Sequence, residues 1–88
     1  MRVTLLYFAH LRERTGTREE SREVPDSCTA GQLRAAVESA HPALRGALAT
    51  CRIAVDEEFA ADTQPIREGQ TIAFIPPVSG GSDSRREE

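Results

Sequence analysis

The stretch Thr29-Ala30-Gly31-Gln32-Leu33-Arg34-Ala35-Ala36-Val37-Glu38-Ser39-Ala40-His41-Pro42 sets the architecture, because it is the one clear helix in a chain otherwise made of strands and turns. Thr29 and Gln32 stand three apart, the spacing of a capping box, in which the hydroxyl accepts from an early amide and the Gln side chain reaches back. Leu33, Ala36, Val37 and Ala40 occupy i, i+3, i+4 and i+7, so one face of the helix is apolar and needs a surface to cover it. Pro42 disfavours helical backbone at His41 and closes the element.

On the N-terminal side of this helix, residues 17–24 are polar and carry Arg18, Glu19, Glu20, Arg22 and Glu23. That composition suits an antiparallel strand at a sheet edge, where charge discourages further strand addition. Residues 9–14 read as a short helical turn ended by Gly16. Residues 2–8 alternate with period 2: Val3, Leu5 and Tyr7 share one face, and Thr4, Leu6 and Phe8 share the other. On the C-terminal side, residues 43–49 form another short turn, 51–55 a strand, Asp56-Glu57-Glu58 a turn and Phe59-Ala60 a short return. Residues 64–69 are a loop. Thr71–Ile75 is a last strand, closed by Pro76-Pro77, which have no N–H to give a ladder. The order strand, strand, helix, strand, short strand, strand predicts an α+β fold, one mixed sheet with one main helix packed on it.

The 88 residues suffice for one small domain. The four aromatics, Tyr7, Phe8, Phe59 and Phe74, leave the core mainly aliphatic. The longest apolar run, residues 5–9, is too short to cross a bilayer, and no leader pattern precedes it, so a cytoplasmic location and no membrane contact are expected. All 11 basic residues are Arg, and 14 acidic residues outweigh them to a net charge of −3. That balance gives no electrostatic reason to bind nucleic acid, and Arg85-Arg86 is too short a run to change this. Cys28 and Cys51 are too few for a four-ligand metal or iron–sulfur site, so no metal is expected. The absence of Lys removes the amine of Schiff-base chemistry and of phosphate loops.

Ser79-Gly80-Gly81-Ser82 follows directly after the last strand and the double proline. Two glycines in succession have no Cβ, so the backbone can pass through a channel too narrow for any side chain. One reading is a Gly-Ser linker into residues 82–88, whose composition is that of a disordered extension. The other is an arm that presents a terminal carboxylate in another protein's active site.

The chain resembles the small subunits of molybdopterin synthase, ubiquitin-like sulfur carriers of the MoaD/ThiS superfamily. The resemblance runs from Val3 to Gly81. It is carried by Leu5-Leu6-Tyr7-Phe8-Ala9-His10-Leu11-Arg12-Glu13, by Pro65-Ile66-Arg67-Glu68-Gly69-Gln70 and by Phe74-Ile75-Pro76-Pro77-Val78-Ser79-Gly80-Gly81. It implies a β-grasp domain over residues 1–78, a Gly-Gly tail over 79–81 and an extension over 82–88. It also implies that Gly81, preceded by Gly80, is adenylated by a ubiquitin-activating-like enzyme that uses ATP, and is then thiocarboxylated. The sulfur would pass to cyclic pyranopterin monophosphate in the large synthase subunit, within a heterotetramer. The small subunit is then a sulfur donor with no bound cofactor of its own, and the large subunit holds the substrate. A carrier of the same type could instead serve cysteine, thiamin or tRNA thiolation, or protein conjugation. Seven residues follow Gly81, so its carbonyl is an amide and cannot attack ATP; a processing protease is therefore expected.

Alternation also turns Leu6 and Phe8 away from the core face. If Ile72 and Phe74 face the helix, Ile75 lies outward. Leu6, Phe8, Phe59 and Ile75 then form an exposed apolar surface, which usually marks an interface. With Pro76, Pro77 and Val78 at the tail's root, these are the expected partner-binding residues. Cys28 precedes a helix N-terminus, where a thiolate can be stabilised, but a small buried hydrophobe is the reading favoured for it and for Cys51. His10 reads as a surface residue, and His41 suits a helix C-terminus without catalytic work.

Overall fold

The alternation at the start of the chain becomes β1 (Arg2–Tyr7), with Val3, Leu5 and Tyr7 buried and Leu6 on the opposite face. This is a computed structural model, and it describes residues 1–77. α1 (His10–Thr15) follows and ends on Gly16, whose φ of 80° is the left-handed conformation that glycine adopts without strain. β2 (Glu19–Glu23) pairs antiparallel with β1 and forms one sheet edge. It is shorter than predicted. Thr15 and Thr17 hydroxyls donate to the carbonyls of Thr17 and Glu19, holding residues 15–18 in a turn, and Val24 leaves the strand to bury its side chain.

α2 (Ala30–Ala40) carries the predicted capping box: Gln32 N donates to Thr29 Oγ1 at 3.3 Å, and Thr29 N donates to Gln32 Oε1 at 2.9 Å. Its buried face is Ala30, Leu33 and Val37. Ala40 was expected in that stripe but is exposed, because the chain turns at His41-Pro42 and Leu44 enters the core instead. The segment after α2 makes two short 3-10 turns, Pro42–Leu44 and Leu48–Thr50, rather than one. β3 (Arg52–Val55) and β4 (Glu58–Ala60) form a hairpin, so Glu58 belongs to the strand and only Asp56 and Glu57 to the turn. β5 (Thr71–Ile75) inserts between β1 and β3, parallel to the first and antiparallel to the second.

The sheet order is β2-β1-β5-β3-β4. One face is covered by α2 and the segments flanking it, giving a core that includes Leu5, Tyr7, Leu33, Val37, Leu44, Ile53, Ile72 and Phe74. Each large side chain buried there contributes about 1.5–3 kcal/mol relative to exposure. A mixed sheet wrapped on one main helix is the β-grasp arrangement. Among the described residues no helix covers the other face, and there the candidate site lies.

Candidate functional site

Strand register builds a groove on the uncovered face. Across the sheet, Leu6 pairs with Ala73, Ala73 with Ala54 and Ala54 with Phe59. Side chains opposite one another on neighbouring strands share a face, so this row reads large, small, small, large. The two alanines form the floor, and Leu6 and Phe59 form the walls. Phe8 and Ile75 close one end, while Thr71, Asp56 and Glu57 line the other; the volume enclosed is about 510 Å³. Phe8 is 46% exposed and Phe59 58%, the two exposed large hydrophobics among the described residues. Soluble domains seldom leave such surface uncovered without a use for it.

The rim is charged. The Arg52 guanidinium lies 3.8 Å from the centre of the Phe59 ring, a cation–π contact that braces the ring against the sheet. Asp56 Oδ1 accepts from Thr71 N at 3.0 Å and Oδ2 from Gln70 Nε2 at 3.3 Å, tying the hairpin turn to the start of β5. A smaller concavity adjoins the groove at its Phe8 end and is lined by Leu6, Tyr7, Phe8, Arg12, Arg18 and Glu19.

Of the residues expected to bind a partner, Leu6, Phe8, Phe59 and Ile75 are brought together on this groove. Pro76 and Pro77 continue the chain from Ile75 without lining it. Val78, Gly80 and Gly81, with the tail over 79–81 and the extension over 82–88, lie outside the described residues. The floor residues Ala54 and Ala73 escaped the sequence reading, because an alanine inside a strand gives no exposure signal until the neighbouring strands are placed.

Off the groove, Tyr7, Glu20 and His41 form a hydrogen-bonded node. Tyr7 Oη donates to Glu20 Oε1 at 2.7 Å, and His41 Nε2 stands 2.9 Å from the same oxygen, with its ring edge-on to Tyr7. Burial and the Glu20 bond push the Tyr7 hydroxyl well above the usual phenol range. Burial also raises the thiols of Cys28 and Cys51, against a smaller opposing effect of Arg34 on the second. A buried thiol held in its neutral form is a poor sulfur nucleophile, consistent with both cysteines acting as small hydrophobes. His10 is exposed, and no group of three or more His, Cys, Asp or Glu able to hold a metal occurs among the described residues. None of their helices is long and apolar enough to cross a membrane.

A family model described as the ThiS family matches residues 5–81. The chain belongs to the ThiS family. As a ThiS-family chain it is similar, over nearly its whole length, to proteins named molybdopterin synthase sulfur carrier subunit. The one from Chlamydomonas reinhardtii is 37% identical over 83 residues, covering 92% of this chain and 100% of the relative. The one from Homo sapiens is 38% identical over 82 residues, covering 90% and 93%. Among solved structures, SAMP1 from Haloferax volcanii, a small archaeal modifier protein, superposes with a TM-score of 0.83 at 29% identity, covering 92% of this chain and 100% of that one. The ubiquitin-like β-grasp fold follows from this likeness together with the sheet order and main helix.

Proposed function

We propose that this ThiS-family chain is the sulfur-donor subunit of a molybdopterin synthase. The observation that carries the reading is its whole-length likeness to chains bearing that name, with a matched region that ends on Gly81. The structure supports it with an apolar groove, uncovered among the described residues, at the root of the segment that leads to the glycine pair.

A protease first cuts the Gly81–Ser82 peptide bond and frees a carboxylate. In an activating enzyme of the ubiquitin-activating type, a carboxylate oxygen attacks the α-phosphorus of ATP. The bond between the α- and β-phosphates breaks and pyrophosphate leaves. The mixed anhydride is then displaced by a sulfur nucleophile with loss of AMP, leaving a thiocarboxylate on Gly81. Gly80 and Gly81, without side chains, let that terminus enter the active site of the large synthase subunit, where sulfur passes to cyclic pyranopterin monophosphate. Leu6, Phe8, Phe59 and Ile75 seat the carrier on its partner, with Pro76, Pro77 and Val78 directing the tail. The chain holds no cofactor; ATP is used by the activating enzyme.

The test is reconstitution with the activating enzyme, ATP and a sulfur donor. A chain ending at Gly81 becomes thiocarboxylated, and the full chain does not; modification of the uncut chain would overturn the processing step.

A second reading is favoured by the likeness to an archaeal modifier and by the residues beyond Gly81. In it the same tail serves cysteine, thiamin or tRNA thiolation, or is joined to other proteins. Partner capture from the native organism separates the two: a molybdopterin synthase large subunit supports the first, and a cysteine-synthase-like enzyme or tail-linked conjugates support the second.

A further inference from the structure

The groove is electrically polar along its length. β5 runs from Thr71, beside the Asp56-Glu57 turn, to Ile75, beside Phe8 and Arg52. Arg12 and Arg18 stand at the Phe8 end with a single carboxylate, Glu19, beside them, so that end is basic on balance, and there Tyr7 N donates to Arg18 O. Four residue steps of strand separate the two ends by about 13 Å. That exceeds the screening length of about 8 Å at physiological salt, so the opposite charges do not cancel each other.

Glu57 holds a backbone conformation unusual for its residue type. It is the second of two turn residues between β3 and β4, with φ of 74°, after Asp56 at 51°. Such a turn demands positive φ at both positions, and glycine is the unstrained residue at the second. Asp56 is consumed by Thr71 N and Gln70 Nε2. Glu57, by contrast, is exposed and among the residues that line the groove, and its carboxylate makes no hydrogen bond or ion pair among the described residues. The Arg12 and Arg18 guanidinium groups are likewise without partners among the described residues.

We infer that Glu57 is a specificity-determining residue: it selects a protein surface whose apolar ridge fills the groove and which sets a basic side chain against Glu57 and acidic side chains against Arg12 and Arg18. Docking is thereby fixed in one direction, with the tail-root end of the groove meeting the acidic part of the partner. This rests on the docking role proposed above for the same groove.

Association of the full chain with the molybdopterin synthase large subunit of the same organism tests it, with Phe8→Asp run in parallel. Exposed rim charges act mainly on the association rate, so Glu57→Arg slows association about tenfold at low ionic strength, and the difference fades in high salt. Glu57→Gly slows association about threefold, yet raises the melting temperature by about 4–8 °C as the turn relaxes. Opposite signs for stability and binding are what a purely structural role cannot produce. If the Glu57 variants associate like the parent while Phe8→Asp loses binding, the inference falls and the docking reading stands. If Phe8→Asp also binds unchanged, both fall.

Discussion

Glu20 receives two contacts on a single carboxylate oxygen, from the Tyr7 hydroxyl and from His41, and so links the edge strand to the core and to the end of α2. Its partial burial favours the neutral acid, but the bonds from Tyr7 and His41 outweigh that and hold its pKa below the ordinary 4.5. A carboxylate depressed in the folded state contributes stability that is present above its unfolded pKa and lost as pH falls through the folded one. The melting temperature should therefore drop as pH is lowered below 4.5, and Glu20→Gln should flatten that drop while lowering the neutral-pH value. Thermal melts of the two proteins across acid pH check this. Little of the node was legible beforehand. Period-2 alternation assigns Tyr7 to the core face, but its link to Glu20 and His41 depends on tertiary placement that no local pattern carries. Ala9 is a similar case: φ of 53° and ψ of −131° place it where glycine is at ease. Ala9→Gly should stabilise the protein by about 0.5–1 kcal/mol through relief of this strain, measured by denaturant unfolding.

α2 was readable as an element because its start is written in side-chain chemistry three residues apart, and both bonds of the Thr29–Gln32 box form. Thr29→Ala should cost about 1 kcal/mol of unfolding free energy, since it leaves an N-terminal amide without its acceptor. The faces of β1 and β5 were equally readable, Leu6 and Phe8 outward and Ile72 and Phe74 inward. The groove between them was not. Its depth comes from setting Ala73 beside Leu6 on one side and Ala54 on the other, and that register exists only once β5 is inserted between β1 and β3. Filling the floor should block what the walls receive: Ala73→Leu projects three extra carbons into the groove and should weaken large-subunit binding by about 1–3 kcal/mol, the usual cost of overpacking. A binding isotherm alongside a melt distinguishes this from unfolding.

At the scale of the whole molecule, the parallel pairing of β1 with β5 brings the two most telling stretches of sequence together at the centre of the sheet. The motif that begins at Leu5 supplies one wall of the groove, and the motif that begins at Phe74 supplies its end and leads towards Gly80-Gly81. This is why two distant segments could announce one site. Phe8→Asp should abolish binding to the large subunit with the fold intact, because Phe8 is half exposed and outside the core; calorimetry and circular dichroism on one sample read both. In the function proposed above, sulfur transfer requires a free terminal glycine at position 81. Intact-mass analysis of the protein taken from its own organism, grown with cofactor synthesis active, measures that requirement without reconstitution. A species that ends at Gly81 and is heavier than the carboxylate form by the difference between sulfur and oxygen is the expected result. A population that keeps residues 82–88, carries no sulfur and still sustains cofactor synthesis would contradict it.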